Sequence, residues 1–409
     1  MTAEPADGSD QASTAAGSGV ADAKPDKPRP PLFTYLLILI VALPVGYVLL
    51  TIIQELVHLI WIEGANDLSG PPKWLLVLGL PTAAGVAVAL LRRYGREGHN
   101  PLDGLATIPV WFRHYPSLIG AIVASLIGGL VLGPEVALVT TGSLVGCEIG
   151  RWRKVADLHQ AMMVGILSAI LALFVGPLTG GSYSVEPNFS FKPQYLVGSA
   201  LVGLAVGVVL LVGRVLAVGL TALRGGDRPA VVPMAIIGLV VGGVALAYSE
   251  YSGHEVGLIL TSGEEMVKPL LALGTAGAIG LAALAKWFAY SLSMGGGFRG
   301  GPYFPALFVG AAVGQIAELT WPSMAGGAAS AGIVAAFAVI MHGSWRATLI
   351  LGVVIGFLVG TWQVVALTVV GALFARLIPG LKLPKKLSPP ADRPDPRHDA
   401  APAVTAPAA

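Results

Sequence analysis

Long apolar segments separated by short polar connectors make up most of the chain. They cover about residues 33–62, 73–91, 117–132, 135–150, 161–176, 194–222, 231–249, 267–293, 303–318, 329–342 and 347–378. Because roughly 20 apolar residues are enough to cross a bilayer as a helix, the pattern predicts a helical protein with many membrane crossings. The shortest segments are flanked by glycine and proline, which predicts helices that stop inside the membrane.

The composition agrees with a membrane location. Hydrophobic residues make up 55% of the 409 residues and charged residues only 12%, whereas a soluble domain has about a quarter charged residues. The 54 glycines fit helices that approach each other closely in lipid. The formal net charge of +2 gives no indication of a nucleic-acid partner.

The polar termini predict the orientation in the membrane. Residues 1–31 and 383–409 are rich in alanine, proline and charged residues, so we expect two disordered tails. The positive-inside rule places both tails in the cytoplasm, with an even number of crossings of the cell membrane between them. The basic residues next to the outermost apolar segments are Lys24, Lys27 and Arg29, and Lys382, Lys385 and Lys386.

An internal repeat gives the strongest signal in the sequence. The Gly133-Pro134 pair recurs as Gly301-Pro302, 168 positions later (301 − 133), and the register holds over roughly forty-five residues. A charged connector at 224–230 then separates a first membrane repeat, 32–223, from a second, 231–382. Chance matching of glycine-rich helices is the alternative explanation. The other matched pairs are Gly142 with Gly310, Gly146 with Gly314, and Gly165 with Gly332.

A repeated Gly-Pro pair at the start of an apolar helix has a physical use. Proline is well tolerated in the first helical turn, and the free N–H groups beyond it carry the positive end of the helix dipole. Two such helix starts that converge in the membrane would bind an anion through backbone donors alone. A purely structural alternative is a pair of kinked, tightly packed helices.

These elements resemble those of the CLC chloride channels and chloride/proton exchangers. Gly133-Pro134-Glu135-Val136-Ala137 is similar to the family's G-[KR]-E-G-P element, and Gly301-Pro302-Tyr303-Phe304-Pro305 to its G-x-F-x-P element. The resemblance extends from about Pro101 to Ile378. It implies an all-α polytopic membrane protein of two inverted-topology repeats with tilted and partial helices. It also implies a homodimer that transports chloride or a similar small anion.

The resemblance makes Glu135 the gating glutamate, whose carboxylate competes with the anion. Independently, an acid at a helix start within an uncharged segment is costly unless it is placed for function. The backbone of Gly133, Val136 and Ala137 would then face the ion from the first repeat. The backbone of Gly301, Tyr303 and Phe304 would face it from the second.

Three positions depart from the family pattern. Gly98-His99-Asn100-Pro101 stands where the family has a serine that coordinates the anion, so His99 is either a substitute ligand on the anion path or a solvated loop residue. No tyrosine follows Tyr303, although the family closes the inner side of the site with one. Glu186 is the one acid left at the family's proton-relay position, and it either carries protons or caps a polar loop. A passive channel and a proton-coupled exchanger therefore both remain open.

Other functional classes are less consistent with the sequence. The chain contains no G-x-S-x-G element and no H-E-x-x-H element, so we expect no enzyme. Its histidines are scattered, and we expect neither a metal site nor a cofactor. A secondary transporter of another solute, also built from inverted repeats, is the alternative. The expected partners are a small anion, membrane lipid, a second copy of the chain and, in an exchanger, protons.

Overall fold

The fold is all-α in the described residues of the computed structural model, which are 32–104, 108–178, 189–359, 362–381 and 383–387. The helices are α1 (Leu32–His58), α2 (Ala65–Asp67), α3 (Pro71–Tyr94), α4 (Tyr115–Ile127), α5 (Glu135–Trp152), α6 (Leu158–Ile170), α7 (Ala172–Leu178), α8 (Tyr195–Leu223), α9 (Val231–Ser252), α10 (Val267–Leu271), α11 (Ala276–Gly295), α12 (Tyr303–Thr320), α13 (Ala328–Met341), α14 (Trp345–Val359) and α15 (Val365–Ala375).

Two of the apolar segments each contain two helices. The segment 267–293 contains α10 and α11, and the chain turns between them at Gly274, whose φ of +73° is easily adopted only by glycine. Thr275 then caps α11 by accepting a hydrogen bond from the Ala278 N–H. The segment 347–378 likewise contains α14 and α15. Apolar composition continues through both turns, so hydropathy could not separate these helices.

Glycine contacts pack the helices of the two repeats in the same way. Gly142 and Gly165 bring α5 against α6, and Gly310 and Gly332 bring α12 against α13. A Cβ atom added to any of these glycines would collide with the backbone of the facing helix. The helices therefore touch backbone to backbone, as small residues allow in a membrane. The matched glycines of the sequence repeat make equivalent contacts.

The outer surface is that of a protein with many membrane crossings. Six helices or helical runs are long and apolar enough to cross a bilayer, judged by length and composition in the described residues. Large apolar side chains project outward from them, including Leu201, Val208 and Val215 on α8. Glu135 and Tyr303 start α5 and α12 but are buried, so these two helices begin inside the molecule.

The two ends of the bundle carry different charges. We call the end with the start of α1 and the end of α3 the basic end, because it carries Arg92, Arg93, Arg96 and the connector 224–230. The opposite end, with the end of α1 and the loop 253–266, is the acidic end. There Glu265 contacts His58, and Glu255 accepts a hydrogen bond from Asn66.

Candidate functional site

Two helical hairpins enter the molecule from opposite ends and meet at its centre. The first hairpin is residues 115–134, from α4 to the start of α5, and the second is residues 276–302, from α11 to the start of α12. Their final residues, just before α5 and α12, are joined by a reciprocal pair of backbone hydrogen bonds between Gly133 and Gly301, each with an N···O distance of 2.7 Å. The two Gly-Pro elements are therefore in direct contact.

Two serines strengthen this junction, and each comes from the other hairpin. Ser293 on α11 accepts a hydrogen bond from the Val131 N–H, and Ser125 on α4 accepts one from the Arg299 N–H, both at 3.1 Å. The members of each pair of equivalent residues are 168 positions apart (293 − 125, 299 − 131), the same register as the Gly-Pro pair. The junction is thus a pseudo-symmetric unit of two hairpins.

The Glu135 carboxylate lies at the start of the opposite helix. Its Oε1 accepts hydrogen bonds from the backbone N–H groups of Tyr303 at 2.8 Å and Phe304 at 3.3 Å. Only 3% of Glu135 is exposed, and its Oε2 is enclosed without a hydrogen-bond partner in the described residues. The free N–H groups of α12 therefore hold a negatively charged group, as expected at a helix N-terminus.

Glycine at both positions of the bridge leaves room for the Glu135 carboxyl group. A Cβ atom on Gly133 or Gly301 would overlap the Glu135 carboxyl group. The start of α12 is held from two further sides: the Tyr290 hydroxyl donates to the Pro302 carbonyl at 2.7 Å, and the Tyr303 ring packs on Phe337. The carboxylate thus occupies a rigid, preformed space.

The predicted backbone donors of α5 lie in different surroundings. The Ala137 N–H donates to the Pro134 carbonyl at 2.9 Å, so it is engaged within the first helical turn. Val136 lines a cavity that opens toward the basic end, together with Gly98 and His99. The structure therefore brings the Gly98-His99 segment next to α5. Glu186 lies outside the described residues.

His99 is not a cationic group at neutral pH. Burial lowers its pKa to about 4, and a hydrogen bond between its Nε2 and the Gly104 carbonyl only partly opposes this effect. The nearby positive charge of Arg299 lowers the pKa further. The positive charges of this cavity are instead those of Arg96 and Arg299, which also line it.

A buried ion network at the basic end was missed in the sequence. Asp227 pairs with Arg299 at 2.9 Å and with Arg92 at 3.1 Å, and it accepts a hydrogen bond from Asn100 at 2.7 Å. Burial favours the neutral acid, but the two guanidinium charges and these hydrogen bonds hold the pKa of Asp227 below its ordinary value. The network fixes the base of the second hairpin to α3 and to the connector 224–230. An arginine within the glycine-rich run 295–301 was the available signal.

A second cavity lies on the acidic end of the junction. It is lined by Pro134, which directly precedes Glu135, and by Gln54, Thr261, Ser262 and Glu264. The fully buried Lys286 lies beneath the same loop and was also missed, although a lysine deep within the apolar segment 267–293 was a usable signal. The junction with Glu135 therefore separates two cavities that open toward opposite ends.

Three comparisons relate the chain to known proteins. Residues 160–380, more than half of the chain, match the family described as voltage gated chloride channel. The match includes the second Gly-Pro element but begins after Glu135. Among curated proteins, the "Putative ion-transport protein YfeO" of Salmonella choleraesuis (strain SC-B67) is 26% identical over 289 residues, which cover 59% of this chain and 68% of that protein.

Solved structures share the fold. A slow cyanobacterial Cl⁻/H⁺ antiporter superposes with a TM-score of 0.63 at 16% identity, covering 84% of this chain and 93% of that one. A CLC-type fluoride/proton antiporter superposes with a TM-score of 0.57 at 18% identity, covering 87% and 97%. At these identities the likeness concerns architecture alone. Together with the family match, the helical hairpins and their repeated junction show that this chain belongs to the voltage-gated chloride channel family, the CLC proteins.

Proposed function

We propose that the protein moves chloride or a similar small anion across the cell membrane, along a path that Glu135 opens and closes. The observation that carries this proposal is the position of the Glu135 carboxylate on the Tyr303 and Phe304 N–H groups. A carboxylate and a chloride ion are both anions that such donors bind, so one displaces the other. Protonation removes the charge of the carboxylate and weakens its hold on these groups.

The two cavities fit an anion path through this junction. One approaches α5 beside Val136 from the basic end, and the other approaches Pro134 from the acidic end. Among the charged side chains that line the first cavity, Arg96 and Arg299 outnumber Glu97, and an excess of positive charge favours anions. The positive-inside rule then makes the basic end cytoplasmic, with both chain termini on that side.

The similarity to proton antiporters raises the question of coupling. A group that takes up a proton whenever it releases an anion can couple the two movements, and Glu135 has the chemistry for this. An imposed chloride gradient that drives protons uphill in proteoliposomes would identify an exchanger. Chloride movement without proton movement would identify a channel. We further propose a homodimer with one path in each subunit, in keeping with the family.

Chloride efflux from proteoliposomes tests the role of Glu135. We expect Glu135→Gln, which cannot change its protonation state, to abolish the pH dependence of the efflux and any uphill movement of protons. The matched control is Glu148→Gln, which removes the same charge near the other end of α5, where Glu148 pairs with Arg151. Unchanged efflux with unchanged pH dependence in Glu135→Gln would disprove the assigned role.

A further inference from the structure

A polar cluster lies at the second cavity, on the acidic end of the junction. It consists of Glu264, Gln54 and Lys286, which come from the loop before α10, from α1 and from α11. Gln54 donates a hydrogen bond to the Glu264 Oε1 at 2.7 Å. The other carboxylate oxygen, Oε2, is enclosed and has no partner in the described residues. One oxygen of Glu264 is thus fixed, and the other is available.

Lys286 fixes the loop that carries Glu264. Its ammonium group is fully buried and donates to the carbonyl groups of Leu258, Ile259 and Leu260, at 3.1–3.2 Å. It also lies 4.7 Å from the centre of the Phe308 ring on α12. An ammonium group has three donors, and all three find acceptors here. A buried charge arranged in this way holds the loop against α12, which begins at the junction.

Charged and titratable groups from several elements lie around Glu264. Lys286 faces it from α11 and Glu135 from α5, while Glu265 follows it in the loop and contacts His58 of α1. Glu264 and Glu135 are close enough to repel each other electrostatically. Glu264 lines the second cavity together with Pro134, the residue directly before Glu135. Glu264 therefore lies on the cavity that approaches Glu135 from the acidic end.

We propose that Glu264 is a second proton-carrying residue of the path, which supplies protons to Glu135 from the acidic end. Protonated Glu264 transfers its proton, directly or through water in the cavity, to the ionised Glu135 carboxylate. Glu264 becomes the anion in this step and regains a proton from water at the cavity mouth. Gln54 and Lys286 are positioning residues. The inference rests on the proposed role of Glu135 and adds a partner to it.

Chloride efflux at equal pH inside and outside the vesicles tests this inference with the full-length protein. In Glu264→Gln, the pH of half-maximal efflux should fall by about one unit, because the negative charge that favours protonated Glu135 is gone. Efflux near neutral pH should then fall roughly tenfold, while the maximum at acid pH stays unchanged. Glu255→Gln is the matched control, because this acid also lies at the acidic end but bonds to Asn66 and does not line the cavity with Glu264, so the variant should titrate like the wild type.

Each outcome separates this inference from the proposed function. If Glu264→Gln titrates like the wild type, or loses the same fraction of efflux at every pH, the relay role of Glu264 is wrong. If Glu135→Gln is also without effect, the proposed function itself fails. Gln54→Leu serves as a second variant should Glu264→Gln not fold. It removes the donor to Glu264 and should lower the half-maximal pH by a smaller amount, and no shift would overturn the inference.

Discussion

The turns of the two helical hairpins have similar backbone conformations, but different side chains donate hydrogen bonds to them. At the turn after α4, the Ile127 carbonyl accepts from the Trp61 indole at 2.8 Å. At the turn after α11, the equivalent Gly295 carbonyl accepts from the Arg224 guanidinium at 3.0 Å. Two positions further along the chain, Gly129 and Gly297 both have positive φ angles, of +76° and +88°. A neutral ring therefore secures one turn and a cation the other.

The different donors at the two turns match the charges of the two ends of the bundle. The last carbonyl groups of a helix carry partial negative charge and accept hydrogen bonds from neutral or cationic donors. The second hairpin turns at the basic end, where Arg224 and Arg92 are available, and the first turns at the acidic end, where Trp61 fills the position. The shared backbone places two helix starts at one point. The different side chains give the two approaches to that point different electrostatic potentials.

Removal of the central charge at the basic end should have the largest effect on stability. Asp227→Asn keeps the shape of the side chain but removes the fully buried carboxylate between Arg92 and Arg299, which leaves them only the partly exposed Glu97 in the described residues. Breaking a buried ion pair from one side costs about 3–5 kcal/mol. We expect thermal denaturation in detergent to show a large loss of stability. Asp103→Asn, at an exposed acid of the same region, should change stability by less than about 0.5 kcal/mol.

The same measurement on the first hairpin sharpens the contrast. Trp61→Phe removes one hydrogen bond to the Ile127 carbonyl and a little packing volume, so the loss should be about 1–2 kcal/mol. If Asp227→Asn were no more destabilising than Trp61→Phe, the two turns would be held equally well by neutral and by charged donors. The ion network would then have no special structural importance.

Lys286 is the second place where the hairpins differ. Its counterpart 168 positions earlier (286 − 118) is Leu118, a buried apolar residue. Lys286→Met keeps an unbranched chain but leaves three buried carbonyl groups without their donor, which should cost about 2–4 kcal/mol. Lys268→Met, at an exposed lysine, is the control for thermal denaturation. Wild-type stability in Lys286→Met would mean that an apolar residue serves equally well in both hairpins.

The sequence predicted the junction of the two Gly-Pro elements better than the side-chain contacts around it. The Gly-Pro repeat and its register pointed to two converging helix starts, because glycine and proline have strong local effects on the backbone. The ion network could not be predicted in this way, since Arg92 and Asp227 are 135 positions apart (227 − 92) and no periodicity links them. Glu264 lies in a loop, where patterns carry little information about burial. Prediction thus succeeded where local backbone chemistry decides and failed where distant side chains meet.

Ser125 and Ser293 allow the two hairpins to be compared at equivalent positions. Ser125→Ala and Ser293→Ala each leave one buried N–H group, of Arg299 or Val131, without an acceptor. The expected cost is about 1–2 kcal/mol for each variant, with the two values equal to within about 0.5 kcal/mol. Thermal denaturation of both single variants measures this. A clearly larger loss in one of them would show that the junction depends mainly on one hairpin.

Substitution of His99 should have the smallest effect on stability, and this effect should appear only at acid pH. The pKa of His99 is about 4 in the folded protein and about 6.5 for an exposed histidine. The unfolded chain therefore binds more protons between these values, so the contribution of His99 to stability is complete above about pH 6.5 and is lost as the pH falls toward 4.

The variant His99→Gln isolates this contribution, because glutamine keeps a donor for the Gly104 carbonyl but does not titrate. Between pH 7 and pH 5, the melting temperature of the wild type should fall by roughly 2–4 °C more than that of His99→Gln. Parallel curves for the two proteins would mean that His99 is accessible to protons in the folded state. It would then add positive charge to the cavity of the basic end on acidification, and the contrast between the two ends would itself depend on pH.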